Sequence, residues 1–126
     1  MSLSRLACTA FLLAMIGSPA AAQPAAQSVT ITVSSFSLAP KPIQLAAGRP
    51  VTLVFVNKSG SGHNFAAPAF FAASSISAGA APGGKIELKG HETKSITLVP
   101  RVGTYPARCT HFLHAGMGMT DSIVVN

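Results

Sequence analysis

The residues able to do chemistry in this 126-residue chain crowd toward its C-terminal end. From Cys109 to Met119 the sequence reads Cys-Thr-His-Phe-Leu-His-Ala-Gly-Met-Gly-Met. Beyond residue 22, that stretch holds the only cysteine, two of the four histidines and both methionines. A further histidine, His63, follows the most apolar run, Val51–Val56. Cysteine, two histidines and a methionine make a trigonal His₂Cys set with a weak axial thioether, the donor set of mononuclear copper centres that pass electrons. Thiolate and thioether are soft and suit Cu(I), whereas imidazole suits either oxidation state. Such donors need a rigid scaffold.

Each residue also has a plainer reading. Cys109 alone would be a small core residue, and His63 a loop histidine with ordinary hydrogen bonds. The constellation favours both as ligands. His111 competes with His114, but a single residue between it and Cys109 would force a very tight loop. His114 is therefore preferred, leaving His111 as an exposed loop imidazole or a second copper-capturing group. Met117 and Met119 compete for the axial place; two apart in an extended segment, they point the same way at different depths. His91, in the turn Gly90–Glu92, is expected in solvent. Phe112, Leu113, Ala115 and Met117 surround His114. They either fold into the core or form an apolar patch through which electrons leave at His114.

The elements that must hold these residues read as strands. Val29, Ile31 and Val33 alternate with polar neighbours, the period of a half-buried strand. Ile43–Leu45 is a short strand, and Val51–Val56, apolar nearly throughout, reads as one covered on both faces. Ser59–Gly62 ends it and places His63 in a loop. Pro68–Gly84 has no period of two; a short helix around Ala69–Ser75 is expected there. Alternation returns at Lys85–Lys89 and Ser95–Leu98. Tyr105, Ala107 and Cys109 share one parity, with the first two expected in the core, and Ile123–Val125 closes the chain. Seven or eight short strands with regular turn signals make an all-β sandwich.

The N-terminus reads as an address. Arg5 precedes an apolar run from Leu6 to Ile16, Gly17–Pro19 breaks it, and Ala20–Ala22 offers small residues for cleavage before Gln23. Residues 1–22 are thus expected to be a signal peptide and residues 23–126 the functional domain, secreted to a periplasm. The run is too short to span a bilayer, and Cys8 would leave with it. Lys and Arg number 9 against 3 Asp and Glu, a net charge of +6. That bias suits an acidic partner, and the scatter of the basic residues fits nucleic acid poorly. Lys58, Lys85, Lys89, Lys94, Arg101 and Arg108 could steer such a partner.

Several stretches together resemble the cupredoxins, small blue-copper proteins such as pseudoazurin, plastocyanin and rusticyanin. They are Lys41-Pro-Ile-Gln-Leu-Ala-Ala-Gly48 leading into Val51–Val56, His63-Asn-Phe65, Gly103-Thr-Tyr105 leading to Cys109, and His114-Ala-Gly-Met-Gly-Met119. The resemblance covers most of residues 23–126. It implies a Greek-key β-sandwich with one type 1 copper held by His63, Cys109, His114 and, on the axis, Met119. Asn64 matches a position whose polar groups tie the ligand loops together. Two features depart from the family pattern: the Cys-x₄-His spacing is longer than in pseudoazurin, with no proline in Thr110–Leu113, and Ala107 stands where an aromatic is frequent.

The expected role is a monomeric, non-enzymatic periplasmic carrier that shuttles single electrons. Its partner would be a redox protein such as a c-type cytochrome, oxidase or reductase, docking near His114. The main rival is a copper chaperone or scavenger, for which His111 and the methionine pair would serve capture and release. A multicopper oxidase needs more histidines than His91 and His111 supply. A hydrolytic zinc site wants a general base, and no acid lies in the ligand loop.

Overall fold

The structure, a computed structural model, describes residues 16–20, 27–111 and 114–126. Most of the expected signal peptide, and Phe112 and Leu113, lie outside the described residues. The chain forms β1 (Gln27–Ser34), β2 (Ser37–Ala39), β3 (Ile43–Leu45), β4 (Val51–Asn57), β5 (His63–Ala66), α1 (Pro68–Ala73), β6 (Ser75–Ala78), β7 (Lys85–Leu88), β8 (Thr93–Val99), β9 (Gly103–Arg108) and β10 (Thr120–Val125). One five-stranded sheet has the order β2-β1-β4-β8-β6 and the other β3-β10-β9-β5-β7. β1 and β4 are parallel neighbours, as are β3 and β10. Parallel neighbours cannot be joined by a tight turn. The chain between β1 and β4 accordingly crosses to the second sheet as β3.

The two faces that meet are the ones the alternation marked. Ile31 and Val33 of β1, Ile96 and Leu98 of β8, and Ile123 and Val125 of β10 are buried in one core. Phe55 and Phe65, one from each sheet, meet with ring centroids 5.0 Å apart. Burial of each such side chain contributes about 1.5–3 kcal/mol. The helix is where it was expected, with Pro at its start, and it packs Phe70 and Phe71 against this core.

Four expectations need correction. Among the described residues there are ten strands rather than seven or eight. The additional ones carry no alternation to read: β2 has three residues, β5 is buried at all four positions, and β6 is exposed at all four. His63 is not in a loop but is the first residue of β5. β4 is not covered on both faces; Val51, Leu53, Phe55 and Asn57 are buried while Thr52, Val54 and Val56 are half-buried. Its outer apolar residues are only partly screened, and Thr52 there pairs its hydroxyl with that of Thr97 at 2.9 Å. Tyr105 stands half-buried at the rim, because its hydroxyl donates to the carbonyls of Arg101 and Val102.

Candidate metal centre

Strand geometry delivers the donors to one end of the second sheet. Cys109 directly follows β9 and Met119 directly precedes β10. These strands are antiparallel neighbours, with Arg108 opposite Thr120. The segment between them is therefore a closed loop, tied at its neck by the Cys109 N–H donating to the Met119 carbonyl at 3.0 Å. β5 pairs with β9 on the other side through Ala66 and Arg108. Extending that register sets Asn64 beside Thr110, so β5 runs past the end of β9 and lays His63 alongside the loop.

His63, Cys109 and His114 converge there. Their donor atoms form a triangle: His63 Nδ1 to His114 Nδ1 is 3.1 Å, Cys109 Sγ to His114 Nδ1 3.4 Å, and Cys109 Sγ to His63 Nδ1 4.0 Å. A point equidistant from all three lies about 2 Å from each, the length of metal bonds to nitrogen and sulfur. His63 is 2% exposed and Cys109 fully buried, while His114 is half-buried. The Nε2 of His63 is buried without a hydrogen-bond partner, so ordinary hydrogen bonding does not account for this imidazole's burial. Burial first, and then the nearby His114 and His111, hold His63 below its usual pKa. That shift favours the neutral imidazole, the form that binds a metal.

Asn64 ties the donors to the sheet. Its backbone N–H donates to Cys109 Sγ at 3.5 Å. Its side-chain oxygen accepts the Thr110 N–H at 2.8 Å, and its amide nitrogen donates to Thr110 Oγ1 at 2.7 Å and Glu87 Oε1 at 2.9 Å. The amide is buried, and every one of its hydrogens is used.

The structure separates the competing residues. Met119 is fully buried in the core beside Cys109, whereas Met117 is 57% exposed. His114 joins the triangle and His111 does not. His111 is instead partly exposed, with its Nε2 3.2 Å from Glu87 Oε2 and its ring 5.6 Å from that of His114. His91 is exposed in its turn. Phe36 sets its ring edge-to-face on His114 at 5.5 Å and is itself exposed.

Sequence reasoning missed Phe36, Glu87 and Asn57. The first two are far from the loop along the chain; only the Asn64 and Glu87 cross-strand pairing brings the acid in. Asn57 is a buried polar residue at the end of an apolar strand, a signal that was there to find. Its amide nitrogen donates to the carbonyls of Ser61 at 2.8 Å and Lys89 at 2.9 Å, and its oxygen accepts from Ser59. It thus shapes the loop that leads into His63.

The family model of the cupredoxin-like domain matches residues 6–120. No curated protein matches the sequence. Among solved structures, the chain is similar to the dithionite-reduced auracyanin of the photosynthetic bacterium Roseiflexus castenholzii. Identity is 20%, with 80% of this chain and 98% of that one covered at a TM-score of 0.61. Auracyanin B is 23% identical, with 80% and 89% covered and a TM-score of 0.57. A multicopper oxidase from Campylobacter jejuni, a metallo-oxidase, is 12% identical at a TM-score of 0.62; 82% of this chain covers 31% of that one.

Proposed function

Given that this chain belongs to the cupredoxin-like domain family, we propose that it is a periplasmic carrier that passes single electrons through one copper ion. The cluster and the family together fit one copper per chain. His63, Cys109 and His114 would hold it, with Met119 as a further soft donor. When bound, copper would supply the one-electron couple. The chain supplies soft and intermediate donors that suit both oxidation states, a backbone N–H that stabilises the Cys109 thiolate, and a sheet end that keeps the donors in place.

The observation that carries this reading is the burial of the donors. His63, Cys109 and Met119 are closed off from water, and His114 alone of the set reaches the surface. A site built to capture and release copper wants open donors; an electron carrier wants a dry centre with one exposed edge. Exposed Met117 and Phe36 stand near that edge. Together they make a small apolar surface suited to a brief encounter with a redox protein such as a c-type cytochrome. The likeness to auracyanin, one example of which was reduced with dithionite, points the same way. The oxidase is matched over less than a third of its length, and a trinuclear centre would need more histidines than this chain has left.

The test is an optical titration of the purified protein with Cu(II), beside Cys109→Ser. An intense visible thiolate-to-copper band is expected, saturating at one copper and missing from the variant. Tight Cu(I) binding without that band would replace the carrier with a copper-handling protein. Failure to bind either ion would sink the copper assignment.

A further inference from the structure

Glu87 lies on β7, the edge strand of the second sheet, and contributes nothing to the donor triangle. Yet its two carboxylate oxygens reach two different parts of the site. Oε1 accepts from the Asn64 amide at 2.9 Å, and Oε2 faces His111 Nε2 at 3.2 Å. Asn64 in turn holds both the backbone and the hydroxyl of Thr110 and donates its N–H to Cys109 Sγ. An unbroken path of hydrogen bonds therefore runs from β7 through β5 to Cys109 and Thr110, and a second runs from β7 to His111. Both arms grip the first three residues of the ligand loop. Toward its other end, the loop is held by backbone bonds from Cys109, His114, Met117 and Met119 and by the His114 ring, which meets His63 and Cys109.

We propose that Glu87 is a positioning residue for the metal centre, a two-armed clamp that holds the start of the ligand loop against the sheet through Asn64 and His111. This assigns His111 to the clamp rather than to metal capture, and it rests on the copper reading only in what the clamp is for. A carboxylate suits both arms, because one oxygen accepts from the Asn64 amide while the other faces His111 Nε2. A glutamine of the same size keeps one accepting oxygen and loses the charge, and its NH₂ can hold His111 only in the imidazole tautomer whose Nε2 carries no hydrogen.

The experiment compares the full chain with Glu87→Gln, His111→Ala and the double variant. Copper binding is measured with Cu(II) against a competing chelator. Amide hydrogen exchange is followed in the metal-free protein. Glu87→Gln is expected to weaken copper binding by about 10–100-fold, the usual effect of removing a partner that orients a ligand. It should also shift the thiolate-to-copper band, because the Asn64 N–H bond to sulfur loosens. In the metal-free protein, Thr110 amide exchange should accelerate while core amides such as those of β4 and β8 do not. His111→Ala is expected to give a smaller effect that does not add to that of Glu87→Gln, since both break the same clamp. Unchanged copper affinity together with unchanged Thr110 exchange overturns the proposal. So does uniformly faster exchange, which would mean that Glu87 merely supports the fold. If the unaltered protein binds no copper, the proposed function fails, and the Thr110 exchange still decides whether the clamp exists.

Discussion

Two methionines stand two residues apart, and the fold treats them oppositely. Met119 is sealed in the core and Met117 lies in solvent, although parity in the sequence gave them the same direction. The difference arises because Met119 leads straight into β10 while Met117 rides the turn before it, where its N–H and that of Met119 both reach the His114 carbonyl. Met119→Leu conserves volume and should cost under about 1.5 kcal/mol in the metal-free protein. Its copper spectrum and potential should change, whereas Met117→Leu should leave both as they were; spectra and voltammetry of the two variants check this. Asp121 is a second residue-scale case. It is buried, one of its oxygens has no partner, and burial raises its pKa. A carboxylate whose native pKa is raised costs stability once pH climbs past its unfolded value, near 3.9. Asp121→Asn should therefore raise the melting temperature at pH 7, with the advantage fading as pH falls toward and below that value. Melting curves across pH would refute this if the gain persisted in acid.

At the scale of elements, the site depends on β5 and on the loop that leads into it. β5 was invisible as a strand because all four of its residues are buried, leaving no alternation. Its position follows instead from pairing between β7 and β9. The preceding loop is packed on the β7–β8 turn so closely that a Cβ on Gly90 would clash with the Gly60 carbonyl. His91 also donates its N–H to Ser59 there. Asn57 fastens both pieces. Asn57→Ala would remove the side chain that joins the Ser61 and Lys89 carbonyls and would leave the Ser59 N–H without its acceptor, at a cost of about 1–3 kcal/mol. It should weaken copper binding as well, because His63 begins the next strand. Denaturant unfolding and copper titration of the variant check both; wild-type values in each would show that the loop holds its shape alone.

At the scale of the whole molecule, the charge balance would decide how an acidic partner of the proposed carrier approaches. Of three acidic residues, Asp121 is buried, so only Glu87 and Glu92 offset the surface lysines and arginines. Lys94 pairs with Glu92 at 3.4 Å; Lys58, Lys89, Arg101 and Arg108 are exposed. Electron exchange with an acidic redox protein should thus slow by about ten-fold or more as salt rises from millimolar to physiological levels. Stopped-flow rates that ignore ionic strength would remove charge steering from the mechanism. The sandwich, most of its strands, the helix and the three residues that converge, His63, Cys109 and His114, were legible in the sequence. Alternation records which face of a strand is buried, and Cys, His and Met are chosen for what they bind. Local pattern could not show that His63 starts a strand, that Met119 rather than Met117 is buried, or that Asn57 and Glu87 brace the site. Those outcomes depend on which strands become neighbours and where each one ends. Register across the sheet sets both, and no stretch of the chain specifies it by itself.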